Sequence, residues 1–142
     1  MQIDDSMPER WALAGARAVL PDRILEDAWI EVHEGRIARV GPVPKRVPKS
    51  LPVIDVTGKV ASPGFVDIHV HGGAGADFMD GTPEAIGTAA RAHLNHGTTT
   101  LFPTTTTGSS ETIHAMLDSV KIVREASGIS LPKIPGIHLY GP

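Results

Sequence analysis

The run Pro63-Gly64-Phe65-Val66-Asp67-Ile68-His69-Val70-His71-Gly72 divides this 142-residue chain into two textures. Residues 65–71 read as a strand. Period two puts Asp67, His69 and His71 on one face and Val66, Ile68 and Val70 on the other. The apolar face is expected to pack under helices, leaving the polar face at the carboxyl end of the strand, where α/β active sites lie. Two imidazoles two residues apart can converge on one divalent cation, with metal–nitrogen distances of about 2.0–2.1 Å. Asp67 is placed to orient them or to line the face below, not to ligate. The triplet alone is weak: the seven histidines present give His-x-His by chance in roughly a third of such chains, and a half-buried pair bonding only its neighbours fits equally well. Its surroundings have to decide.

Upstream, from Trp11 to Ala61, short strands alternate with tight punctuation. Residues 17–20 end at the turn signal Pro21-Asp22, and residues 28–33 alternate with Trp29, Glu31 and His33 on one face. Glu34-Gly35 predicts a hairpin turn into residues 36–40, anchored by Ile37 and Val40. Four prolines (Pro42, Pro44, Pro48, Pro52) make residues 41–52 a surface loop. Residues 53–56 and 59–61, joined by Thr57-Gly58, read as a second hairpin. Residues 1–9 form a disordered lead, Trp11 and Trp29 pack the unit, and His33 is structural. Residues 1–62 are therefore a small all-β unit.

Downstream the period changes. A Gly-rich loop over residues 72–81 precedes a helix with Thr82 as N-cap and Pro83 in its first turn, an apolar stripe of Ile86, Ala89, Ala90 and His93/Leu94, and Gly97 at its end. Thr98 to Thr107 is β-branched and strand-like. Ser109 or Ser110 caps a second helix carrying Ile113, Met116, Leu117, Val120 and Val123, ended by Gly128. Residues 134–140 form a third strand. Strands alternating with helices predict a parallel α/β arrangement over residues 63–142. A complete (β/α)₈ barrel needs about 200 residues or more, so the architecture is expected to stop partway, with an open edge on its last strand.

Composition narrows the function. Thirteen basic against sixteen acidic residues leave a formal charge of −3, which argues against nucleic-acid and membrane-surface partners. With no cysteine, disulfides, thiolate ligands and thiol nucleophiles are excluded. No run approaches the roughly 20 apolar residues of a membrane span, and residues 1–10 lack a signal-peptide pattern; the expected location is cytoplasmic.

Three segments in order, PGFVDIHVHGGAGADFMDGTPEAI (63–86), HGTTTLFPTTTT (96–107) and PGIHLYGP (135–142), give the chain a resemblance to the metal-dependent amidohydrolase superfamily. Within it the chain is most similar to the N-acetylglucosamine-6-phosphate deacetylases, over residues 11–142. The resemblance implies an N-terminal β-sandwich segment (1–62) followed by the first three strands and two helices of an incomplete TIM barrel (63–142). It implies a hydrolase that releases acetate from N-acetylglucosamine 6-phosphate, with one or two divalent metal ions, zinc or iron, held in part by His69 and His71. The implied partner is a small amino-sugar phosphate, and the implied full-length assembly a homodimer. The family's general acid/base Asp and its further His ligands belong to later strands, so no catalytic residue is expected here and little or no turnover is expected of this chain.

One departure stands inside the matching segments. The family's third-strand motif reads His-Leu-Glu-Gly-Pro, its Glu a metal ligand; this chain has His138-Leu139-Tyr140-Gly141-Pro142. A phenol with an ordinary pKa near 10 is a poorer anionic ligand than a carboxylate, so hydrogen bonding to a bound water or substrate is the more economical role for Tyr140. His138 shares its face by period two and is a second candidate contact. Two alternatives stay open: another amidohydrolase of the D-aminoacylase or dihydroorotase type, against which GGAGADFMDG (72–81) speaks, and a non-catalytic remnant or interaction module, which Tyr140 favours. The run Gly72 to Asp77 can cradle an anion or serve shape alone, lacking the Gly-Lys-Ser/Thr of a phosphate loop. His96 marks a helix end, and His93 and His114 are expected at the surface or at an interface between elements.

Overall fold

Strand β1 (Arg10–Val19) is the axis of the first of two compact units, Met1–Pro63 and Gly64–Pro142. The computed structural model describes residues 8–126 and 130–141. Leu20 N–H donates to the Arg23 carbonyl (2.9 Å), which turns β1 back antiparallel into β2 (Ile24–His33). β2 turns into β3 (Arg36–Pro42) through Glu34 and Gly35, with φ of 50° and 69°. Two successive positive φ values give the turn twist that hairpin strands need, as Glu34-Gly35 predicts. Trp11 and Trp29 are buried, together with Ala12, Ala16, Ala18, Ala28 and Ile30.

Residues 53–61 do not form the expected hairpin. β4 (Val53–Asp55) and β5 (Val60–Ala61) both run parallel to β1, at Ala12↔Val53 to Ala14↔Asp55 and again at Arg17↔Val60 and Ala18↔Ala61. Thr57-Gly58 is a genuine turn, held by Asp55 Oδ1 accepting from Thr57 N–H (2.9 Å) and its hydroxyl (2.6 Å), but the chain keeps its heading. β1 makes room with Gly15 at φ 87°, where a Cβ would collide with the Thr57 hydroxyl. The resulting sheet has the order β3-β2-β1-β4, with β5 also on β1.

In the second unit β6 (Phe65–Val70) and β9 (Thr98–Pro103) are parallel neighbours, joined through α1 (Pro83–Leu94). Between β6 and α1 lie a small hairpin, β7 (Gly72–Gly73) with β8 (Ala76–Asp77), and a 3₁₀ turn (Phe78–Asp80). Thr82 caps α1 by accepting from Ala85 N–H (3.2 Å), with Pro83 first in the helix and Gly97 at φ 94° beyond its end. Thr112 N–H donates to the Ser109 hydroxyl (3.3 Å), so Ser109 starts α2 (Ser110–Ala126); the expected stop at Gly128 lies outside the described residues. Val70, Phe78, Ile86, Leu101, Met116, Val120 and Ile134 share one core. Among the described residues no helix is long and apolar enough to cross a membrane.

The expected third strand is present only as two single parallel bridges to the β9 side, Thr100↔Lys133 and Thr104↔His138. Pro132 and Pro135 lack an N–H, so no continuous ladder can form through this stretch. His138 N–H still donates to Pro103 O and accepts, at its carbonyl, from Thr105 N–H, both at 3.0 Å.

Candidate metal centre

The β6–β9 register decides which side chains meet. Val66 pairs with Thr100, Asp67 with Leu101 and Val70 with Pro103. From Asp67 to Val70 is three steps on β6, but Leu101 to Pro103 is two on β9, so β6 carries one extra residue and switches phase across Ile68 and His69. Partners on neighbouring strands share a face. Asp67 therefore lies on the side of fully buried Leu101, while Val66 and Ile68 lie on the open side, 63% and 65% exposed. Beyond the bulge Val70 turns into the core, and His69 and His71 face the open side. The expectation that Asp67 shares the histidines' face, and that Val66 and Ile68 pack with Val70, is corrected by this bulge. Asp67 instead braces the strand, Oδ1 accepting from His69 N–H at 3.1 Å. Ile68, Phe102, Ile137 and His138 line a concavity of about 320 Å³.

On that face four rings gather. The Nε2 atoms of His69 and His71 are 3.0 Å apart. His138 and Tyr140 each bring their ring centroid to 4.9 Å from that of His69, and Tyr140 lies 6.2 Å from His71. Nδ1 of His138 is 2.8 Å from the Ile68 carbonyl. A carbonyl only accepts, so in the neutral ring Nδ1 holds the proton and Nε2 keeps its lone pair. His71 Nδ1 is buried and unpartnered, alone in this among the buried side-chain nitrogens and oxygens of the described residues.

A divalent cation suits this pair on two counts. Nitrogens about 2.0–2.1 Å from one cation are at most about 4 Å apart, and the observed 3.0 Å separation meets that bound. Both atoms are ring nitrogens with a lone pair available when unprotonated, a donor set suited to zinc or iron. The four sequence-singled residues His69, His71, His138 and Tyr140 are thus brought together, and Asp67 is not.

The other histidines divide. His96 Nδ1 donates to the Ala92 carbonyl at the end of α1 (2.8 Å), matching its helix-end reading, and exposed His114 bonds back to Ser110. His93 is half-buried where the β7–β8 hairpin folds against α1, the interface alternative of its reading, with Nε2 donating to Gly72 O at 2.9 Å. That hairpin's turn uses Ala74 and Gly75 at positive φ, and Asp77 caps the 3₁₀ turn through Met79 N–H (2.8 Å). That turn gives the Gly-rich run a role in shape. On the first unit, exposed Glu9, His33 and Glu34 bring ligand atoms within 4.8 Å of one another. Sequence reading missed this group because long-range contacts, the pairing of Arg10 with His33 and the Glu34 N–H bond to the Glu9 carbonyl (2.8 Å), bring Glu9 near the turn.

Glu31, by contrast, is a completed structural network. Arg10 Nε donates to Oε1 (2.6 Å) and Trp29 Nε1 to Oε2 (3.3 Å). Those bonds hold its carboxyl below the ordinary Glu range, against the opposing effect of burial.

A model of the amidohydrolase family matches residues 60–142. The chain belongs to the amidohydrolase family. Amidohydrolases are generally metal-dependent. This amidohydrolase chain is 32% identical over 119 residues to an N-acetylgalactosamine-6-phosphate deacetylase of Escherichia coli O157:H7, covering 84% of the chain and 31% of that protein. It is 28% identical over 138 residues to the N-acetylglucosamine-6-phosphate deacetylase of Bacillus subtilis strain 168, covering 96% of the chain and 35% of that protein. The solved N-acetyl-D-glucosamine-6-phosphate deacetylase of Mycobacterium smegmatis superposes with a TM-score of 0.75 at 28% identity, over 93% of this chain and 35% of that one. The chain spans about a third of the length of these two curated relatives.

Proposed function

We propose that this chain is the opening portion of a metal-dependent amino-sugar-phosphate deacetylase. Residues 1–62 would be the N-terminal β-sandwich segment and residues 63–142 the first strand positions and two helices of a (β/α)₈ barrel. The reaction is hydrolysis of the N-acetyl amide of N-acetylglucosamine 6-phosphate to acetate and glucosamine 6-phosphate. One observation carries this reading: the facing Nε2 atoms of His69 and His71, 3.0 Å apart, in a chain whose relatives bear amino-sugar-phosphate deacetylase names.

His69 and His71 hold the divalent ion, zinc or iron. When bound, that ion polarises the amide carbonyl and lowers the pKa of water. Tyr140 offers a phenol O–H that donates to, or accepts from, substrate or water beside His69. His138, its Nδ1 committed to Ile68, presents Nε2 as an acceptor or a further ligand. The partner is a small phosphorylated amino sugar in the cytoplasm, and the whole protein is a homodimer.

The test is acetate release from N-acetylglucosamine 6-phosphate by the zinc- or iron-loaded protein. N-acetylgalactosamine 6-phosphate, an N-acetyl-D-amino acid and dihydroorotate run alongside. Little or no release is expected of the 142-residue chain itself, and brisk turnover by it would overturn this reading; on a longer chain, preference for the amino acid or dihydroorotate would overturn the assignment. Tyr140, standing where the resemblance puts a carboxylate, favours one rival, a non-catalytic module. That rival predicts a protein purifying without stoichiometric metal.

A further inference from the structure

We propose that Thr104 and Thr105 are positioning residues for the four-ring cluster, acting through their hydroxyls on the two chain segments that carry it. Thr104, fully buried, accepts from Val70 N–H at its Oγ1 (2.9 Å) and donates that hydroxyl proton to Phe102 O (3.0 Å). Its own N–H donates to Val70 O (2.8 Å). Val70 stands between His69 and His71, so one threonine engages both backbone polar groups of the residue joining the two rings. Thr105, 3% exposed, does the same on the other side. Its hydroxyl accepts from Tyr140 N–H (2.8 Å) and donates to Tyr140 O (3.0 Å), while its N–H donates to His138 O (3.0 Å).

Each hydroxyl thereby uses its single proton and one lone pair. Successive residues in extended chain point to opposite sides, which lets two adjacent threonines reach two different segments. A plain ladder could not do this here. β6 is bulged between Asp67 and Val70, and Pro103 and Pro135 withhold N–H groups on either side of the second contact. The two hydroxyls supply the missing cross-links at the level of the rings.

Valine and serine separate the hydroxyl from its methyl group. Valine keeps threonine's shape but leaves an N–H or C=O of each bonded pair unmet; serine keeps both bonds and loses the methyl. A role in packing alone would spare valine and penalise serine, and a positioning role reverses that order. The proposal rests on the reading of His69 and His71 as ligands, so two readouts are needed: Co²⁺ titration followed by its visible absorption, and the ring-proton NMR shifts of His69 in metal-free protein. T104V should bind cobalt about tenfold or more weakly, with an altered spectrum, and T104S within about twofold of the unaltered chain. T105V should shift the His69 ring protons as Tyr140 leaves its place, and T105S should not. Folded valine variants that keep the original affinity, spectrum and ring-proton shifts would overturn the proposal. If T104V fails to fold, T105V, which keeps both bonds between Thr104 and Val70, decides. An unaltered chain that binds no cobalt would overturn the metal reading instead, and the ring-proton comparison would still judge this one.

Discussion

Glu31 in the first unit and His71 in the second both draw polar atoms into an interior, and they end differently. Each carboxylate oxygen of Glu31 has a donor, from Arg10 and from Trp29. Nδ1 of His71 has none, while its Nε2 is aimed at a second imidazole. A completed network holds a fold together; the unmet Nδ1 is a cost borne on one edge of the His71 ring, while the cation reading rests on the Nε2 atoms at the other.

The sharpest way to break the comparison is H71F. Phenylalanine fills the ring's space and removes the unpartnered nitrogen, so the metal-free chain should melt at the same temperature or higher. Metal affinity should fall by about a hundredfold or more, at the upper end of what ligand-shell losses cause, read by cobalt titration beside calorimetry. A fall in melting temperature equal to that of a core truncation would show that the ring is structural.

G15A should come next. Alanine at φ 87° against the Thr57 hydroxyl should cost the first unit about 1–3 kcal/mol in strain. Urea unfolding followed by tryptophan fluorescence reads this directly, because both tryptophans, Trp11 and Trp29, lie in that unit. T82A, which removes the α1 N-cap, should cost the second unit about 1 kcal/mol, seen as faster amide exchange in the first turn of α1.

The smallest effect is expected at Arg10, whose side chain is 56% exposed. Glu31 has a lowered folded pKa, so its contribution to stability is complete above the ordinary Glu value of about 4.3 and is lost as pH falls through the folded value. R10M should raise the pH at which the first unit unfolds in acid. An unchanged acid midpoint would leave Trp29 as the partner that matters.

Local signals were legible and pairings were not. Thr82-Pro83 capping α1, Glu34-Gly35 turning β2 into β3, and the His69/His71 pair all depend on residues close in sequence. The phase of Asp67 depends on counting β6 against β9, which alternation within one strand cannot do. Thr57-Gly58 announces a turn but not whether the chain reverses, and the parallel seating it takes brings Thr57 against Gly15, far off in sequence. Thr104 and Thr105 read as β-branched strand residues. Their hydroxyl partners lie 34 and 35 positions away, beyond any local pattern. The apolar pattern of residues 134–140 predicts a strand, and only the pairing pattern shows that Pro135 breaks its ladder.

The parallel seating of β4 and β5 on β1 has a kinetic corollary. The β1–β2–β3 meander closes through turns of a few residues, whereas Ala12 meets Val53 only after 41 positions (53 − 12). Closing the longer loop costs more chain entropy, and non-local pairings form more slowly. The meander should therefore assemble first and the 53–61 stretch zip onto it last, so that amides there gain protection in pulse-labelling after those of β2.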